Sequence, residues 1–302
     1  HIVRLDRAGA LTRAALDAPH LPLLRREAEP GDPPLLAHDP RDATFFYTDD
    51  SGAIERRDIE SLETRERWRV RCHSAPWRGL VSAADVVAAG DEDGGLYVFW
   101  PDELRRVHIQ THAKHLQSLA LSGDGKMLAA ALEGRGRAVR IAMWGLEPLR
   151  VHIFGLDRRA VPAAASGALY SRVWMAWDGA CERLAVLEWS ASMGDTGVRA
   201  VVSVFDGPSA RREWSAVIDD ELLGPGPGGG EGGALAWDGW TLWVGTCAGE
   251  LVGLDGRDGA LRDVRWIGSA QPVLQLMAPR AGELWALTGS GFLGPVAGGA
   301  VP

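Results

Sequence analysis

The chain has 302 residues, 46% of them hydrophobic, and a formal net charge of −8 from 40 acidic against 32 basic residues. That apolar content excludes a disordered chain, and the acidic balance argues against a nucleic-acid partner, which needs a strong positive field. No window holds eighteen consecutive apolar residues, so no membrane insertion is expected. The three scattered cysteines, Cys72, Cys181 and Cys247, make no disulfide framework.

In chain order, Ile2-Val-Arg-Leu5 and Ala10-Leu-Thr-Arg-Ala14 read as two short strands. Then Leu35-Leu-Ala-His38 precedes Thr44-Phe-Phe-Tyr47, a glycine turn introduces Gly52-Ala-Ile-Glu-Arg56, and the more polar Arg65-Glu-Arg-Trp-Arg-Val70 follows. The same four-part phrase recurs from Gly79 to Gln110. Its best-written hairpin is Leu119-Ala-Leu-Ser-Gly-Asp-Gly-Lys-Met-Leu-Ala-Ala-Ala131, two apolar runs flanking a tight turn. Met175-Ala-Trp-Asp-Gly179 before Arg183-Leu-Ala-Val-Leu-Glu-Trp189 repeats it, as does Leu235-Ala-Trp-Asp-Gly239 before Thr241-Leu-Trp-Val-Gly-Thr246. The last copy, Leu274-Gln-Leu-Met277 before Glu283-Leu-Trp-Ala-Leu-Thr288, has no clear fourth strand.

The second strands begin near residues 45, 86, 127, 183, 241 and 283. A repeat of about forty residues that writes four strands predicts an all-β fold, a single β-propeller over 1–302. Six blades are expected, near 32–74, 77–113, 115–155, 168–220, 232–268 and 270–302 with 1–16. The N-terminal segment would close the last blade and hide two sheet edges; a seventh blade is the alternative count. A chain that begins at His1 reads as a processed or excised piece of something longer.

Several residues carry a resemblance. His112 stands before Leu116 and the Ser118-to-Lys126 hairpin, and Gly95-Leu-Tyr-Val-Phe-Trp-Pro-Asp102 closes a unit. Val244-Gly-Thr-Cys-Ala-Gly-Glu-Leu-Val-Gly-Leu-Asp-Gly256 reads as another blade. The chain resembles a degenerate WD-repeat or quinoprotein-like propeller. It departs from the WD pattern in having no Gly-His dipeptide, and its Trp-Asp pairs, Trp177-Asp178 and Trp237-Asp238, sit in turns between first and second strands. A quinone is not carried over, and no cofactor is expected.

The wide spacings mark insertions at 133–137, 155–168, 190–197 and 219–233, which propeller topology puts on one face. Candidate partner-binding residues there are His112, Lys114, His115, Arg135, Arg137, Arg158, Arg159, Asp219, Asp220 and Glu221. Their basic members would steer an acidic protein partner. Cys72, His73, His112 and His115 are zinc-ligand types without a zinc module's spacing, and exposed loop histidines explain them better. The glycine-rich stretch at 224–233 lacks a phosphate loop's Lys-Ser or Lys-Thr ending, and no Gly-x-Ser-x-Gly elbow occurs. The expected role is a protein-interaction or scaffold module of a larger, bacterial-type assembly, not an enzyme. A hydrolase or lyase with its site at the channel mouth is the alternative. A reducing cytoplasm is the simplest compartment, with a secreted or periplasmic mature form left open.

Overall fold

The second and third strands of the repeats carry apolar side chains on both faces, and such strands are stable only when a layer covers each side. The computed structural model realises this with antiparallel meanders. It describes residues 2–5, 11–14, 24–26, 35–39, 41–48, 52–70, 77–113, 115–133, 139–147, 149–155, 169–192, 198–218, 234–267, 272–280, 282–288 and 293–296, the N-terminal strands as backbone only.

The first sheet holds β1 (Ile2–Leu5), β2 (Leu11–Ala14) and β3 (Leu24–Arg26). The second holds β4 (Leu36–His38), β5 (Thr44–Thr48), β6 (Ala53–Asp58) and β7 (Thr64–Arg69). The third runs β8 (Trp77–Ala83), β9 (Val86–Asp91), β10 (Gly95–Trp100) and β11 (Arg105–Gln110). The fourth comprises β12 (His115–Leu121), β13 (Met127–Glu133), β14 (Val139–Leu146) and β15 (Leu149–Gly155). In the fifth are β16 (Leu169–Trp177), β17 (Arg183–Ser192), β18 (Val198–Asp206) and β19 (Arg212–Ile218). The sixth has β20 (Ala234–Asp238), β21 (Thr241–Gly245), β22 (Glu250–Asp255) and β23 (Leu261–Trp266). The last has β24 (Val273–Arg280), β25 (Glu283–Thr288) and β26 (Leu293–Pro295).

The second strands thus start where the hairpin signals put them. β1 pairs with β2, and β2 with β3, and the first and last sheets each have three strands among the described residues.

The chain divides into two compact units, 1–128 with 132–135, and 129–131 with 136–302. In the first, Phe46 and Ile54 of the second sheet meet Trp77, Val87, Tyr97 and Phe99 of the third. Phe45 and Tyr47, pointing to the opposite face of β5, are buried with Leu62. Every residue of β9 and β10 is buried, while β11 is mostly exposed. Gly90 lies where β9 approaches β12, and a Cβ there would strike Leu116. In the second unit, Leu187, Val202 and Trp214 of the fifth sheet pack on Leu242, Val244 and Leu254 of the sixth, whose other face, with Trp243 and Leu251, covers Val273 and Leu284.

Arg183 ties the fifth and sixth sheets. Its Nε donates to Asp178 Oδ2 at 3.0 Å and its Nη1 to the Gly256 carbonyl at 2.7 Å. The guanidinium lies 4.7 Å from the Trp237 ring centre and 5.1 Å from that of Trp240. Trp214 Nε1 donates to the same Gly256 carbonyl, and Trp237 Nε1 to Ala176 O.

The turns between third and fourth strands reuse one device. Asp58, Asp206 and Asp255 each end a third strand, and each carboxylate accepts turn amides: Glu60 and Ser61, Ser209, and Arg257 respectively. Four residues on, Leu62 (φ 60°), Ala210 (φ 55°) and Gly259 (φ 78°) take the left-handed conformation. A register shift accompanies each, in β6, β18 and β22. The Arg257 hydrogen bonds, from its side chain and its amide, reinforced by Arg262, hold the Asp255 carboxyl far below the usual carboxylate range.

Left-handed backbone strains an L-residue by about 1 kcal/mol. Ala210→Gly, which copies the residue at 259, should therefore raise stability by roughly 0.5–1 kcal/mol, read as a higher midpoint in urea unfolding.

Asp39 provides a pH test. Its side chain is fully buried, yet Arg41 donates Nε and Nη2 to it at 2.9 Å and Arg56 Nη2 lies 3.1 Å away. Burial alone would raise its pKa; the Arg41 hydrogen bonds and the charges of Arg41 and Arg56 outweigh it and leave the pKa lowered. A depressed folded pKa gives stability that is present above the unfolded carboxylate value and lost as pH falls through the folded one. Asp39→Asn should cost about 2–4 kcal/mol at pH 7. The gap to the unmodified chain should close steadily below about pH 4 in parallel denaturation curves.

Candidate functional site

The antiparallel register fixes where the long connections leave the sheets. In the fifth sheet Leu169 pairs with Ser192, Ala191 with Val198, and Ala200 with Ile218. The ends bordering 156–168, 193–197 and 219–233 therefore lie together at one end of that sheet. In the sixth sheet Ala234 pairs with Gly245, placing the far border of 219–233 at the end that carries the turn from Thr246 to Gly249. The two sheets run side by side in the same sense, since the turns at their other ends meet through Arg183, Trp237 and Gly256.

In the first unit, the same strand-two-to-three end of the third sheet is built on Asp91. Its buried carboxylate accepts the Gly95 amide at 2.8 Å and the Tyr97 hydroxyl at 3.1 Å. The acidic turn thus has a structural account: Asp91 caps its own backbone, as turn aspartates do. Tyr97 stacks on His108 with ring centres 4.6 Å apart and meets Trp77 edge-on. Thr111 Oγ1 donates to the Gly94 carbonyl at 2.7 Å, which anchors the connection into β12. His112 follows, exposed and in the left-handed region at φ 55°.

Above this base sits a charged cluster. Arg78 Nη2 of β8 donates to Glu92 Oε2 at 2.9 Å, and His115 Nδ1 at the start of β12 lies 3.7 Å from Glu92 Oε1. Nearby, Gln117 Nε2 donates to Glu133 Oε2 at 3.1 Å, while Gln117 Oε1 is buried without a partner. The cluster can offer a partner both a carboxylate and a cation at a rigid sheet end.

Of the candidate residues, His115 joins this cluster and His112 stands exposed beside it. Lys114, Arg135, Arg137, Arg158, Arg159, Asp219, Asp220 and Glu221 lie outside the described residues, as do Cys72, His73 and the glycine-rich stretch. Among the described residues no three His, Cys, Asp or Glu side chains group as a metal site. Nor is any helix long and apolar enough to cross a membrane. Glu92 was the residue hidden from sequence reasoning. It reads as one acid in an Asp-Glu-Asp-Gly turn, and only the fold brings Arg78 and His115 to it.

No known family profile matches the chain. It is 25% identical over 121 residues, 39% of its length, to WD repeat-containing protein 1-A of Xenopus laevis, and the match spans 20% of that protein. Its fold resembles that of Kuenenia stuttgartiensis hydrazine synthase, a β-propeller protein, with a TM-score of 0.65 across 97% of this chain and 90% of the other. The sheets are consistent with a β-propeller. At 13% identity the second likeness concerns the fold alone.

Glu92 and Arg78 are both partly exposed, so their pairing should add little stability. Glu92→Gln is expected to lower unfolding free energy by less than about 1 kcal/mol in a thermal melt.

Proposed function

We propose that the chain is a protein-interaction module of a larger assembly, a single propeller whose sheets act as blades and whose long connections form the binding surface. The observation that carries this reading is the common departure point of the long connections: Leu169, Ser192, Val198 and Ile218 share one end of the fifth sheet, and Ala234 borders the matching end of the sixth. Loops held by a rigid scaffold are where binding residues gather. The WD-repeat likeness, though limited to 39% of the chain, supports the same reading.

In this reading seven sheets, rather than six, serve as blades, with the first and last each one strand short. The basic residues of the connections, Lys114, Arg135, Arg137, Arg158 and Arg159, with His112 and His115, contact an acidic partner, and Asp219, Asp220 and Glu221 set its orientation. Charge of this kind tunes the association rate more than the final affinity.

The test removes the loops and keeps the sheets. Variants in which 156–168 or 219–233 is replaced by a short Gly-Ser bridge should melt within a few degrees of the full chain, because loop closure entropy changes slowly with length. They should lose the partners that the intact chain retains in affinity capture. Recovery of the same partners by both variants, with unchanged melting, would discard the loop surface.

A further inference from the structure

The outer strands of a stacked-sheet protein leave a row of backbone groups unpaired, and they are normally blunted with charge. β7 and β11 follow that rule. β7 presents Arg65, Arg67 and Arg69, and β11 presents Arg105, Arg106, His108 and Gln110, all exposed. β23 does not. It is the last strand of its sheet, and three of its six residues are exposed large apolar side chains: Leu261 at 58%, Val264 at 40% and Trp266 at 56%.

We propose that β23 is the contact through which two copies of this chain pair, antiparallel, about a two-fold axis at Val264. The direction of the backbone groups comes first. The Ile267 amide donates inward to the Gly249 carbonyl. Because amides alternate along a strand, those of Arg265 and Asp263 also face β22, and those of Val264 and Trp266 face away. An added strand must meet outward groups with outward groups, so allowed registers differ by two residues.

Charge then selects among them. Centred on Asp263, the pairing sets one Asp263 against the other. Centred on Arg265, it opposes two arginines. Centred on Val264, it places Asp263 of each copy opposite Arg265 of the other and brings the two Val264 side chains together. Like charges directly opposite destabilise a strand pair and opposite charges support it. Within one chain Arg265 Nε already donates to Asp263 Oδ2 at 2.8 Å, while its guanidinium stacks on Trp243. The pair is therefore held ready on one face, with Asp263 Oδ1 available to the second copy. This contact is isologous, as a two-fold dimer requires, and it is independent of the loop surface proposed above.

One strand pair buries less than a standard interface, so the dimer should be weak, with a dissociation constant on the order of 10 μM. Sedimentation equilibrium of the full 302-residue chain, from about 1 to 200 μM, spans that value. Val264→Pro removes the outward amide without touching the ladder to β22. Asp263→Arg sets like charges opposite each other. Each should weaken dimerisation about tenfold or more, with thermal melts close to the unmodified chain. The double exchange Asp263→Arg with Arg265→Asp should return the dissociation constant to within about threefold of its original value. A chain that stays monomeric throughout the range overturns the proposal, whether β23 is bare or taken by another protein's strand. A dimer indifferent to Val264→Pro and Asp263→Arg overturns it too, and a double exchange as weak as Asp263→Arg alone overturns the register.

Discussion

The middle strands of these sheets are buried on both faces, and that condition shapes nearly everything else in the chain. Val86 to Asp91 and Gly95 to Trp100 are buried at every position. A strand in that position needs a sheet on each side, so a single meander is not stable alone and its neighbours become part of its core. The fourth strands β7 and β11 are covered only in part, and Arg, His and Gln side chains are exposed along them. The polar ends of the sheets are then satisfied mostly by groups close at hand, with Tyr97 and Trp214 reaching them from the core.

Aspartate meets that need in different ways. At 58, 206 and 255 it accepts amides of the turn that follows, and arginines close over Asp58 and Asp255. At 39 and 91 the carboxylate is buried outright. Asp39 is balanced by two guanidiniums, a costly desolvation offset by charge and hydrogen bonds. Asp91 shows among its partners a backbone amide and a phenol, so its carboxylate is held by hydrogen bonds of the kind that build the end of the third sheet.

Much of the architecture could be read from the residues, because hairpins advertise themselves. Gly123-Asp-Gly-Lys126 and the Trp-Asp-Gly turns lie between apolar runs, and strands start there. The left-handed turn position could not be read. Only Gly259 is a glycine; Leu62 and Ala210 occupy the equivalent place with no compositional sign. The destination of the N-terminal strands was also hidden. Ile2-Val-Arg-Leu5 is an acceptable strand for either edge, and nothing in its composition favours β2 over β26. At the site, the histidines drew attention because their chemistry is rare. Glu92 did not, because its partners come from strands on either side of it in space and far from it in sequence.

The hold of Arg183 on two sheets has a kinetic side. Its partners, Asp178, Gly256, Trp237 and Trp240, include residues 73 positions away in sequence. Releasing either sheet would strand a nearly buried guanidinium and unpair the Gly256 carbonyl at once. Partial opening of the fifth sheet without the sixth is therefore disfavoured, and amide protons of β18 and β22 should exchange with solvent through one shared opening rather than two. A chain assembled from near-repeats would otherwise fray sheet by sheet; here one cation fuses two repeats into a single cooperative block.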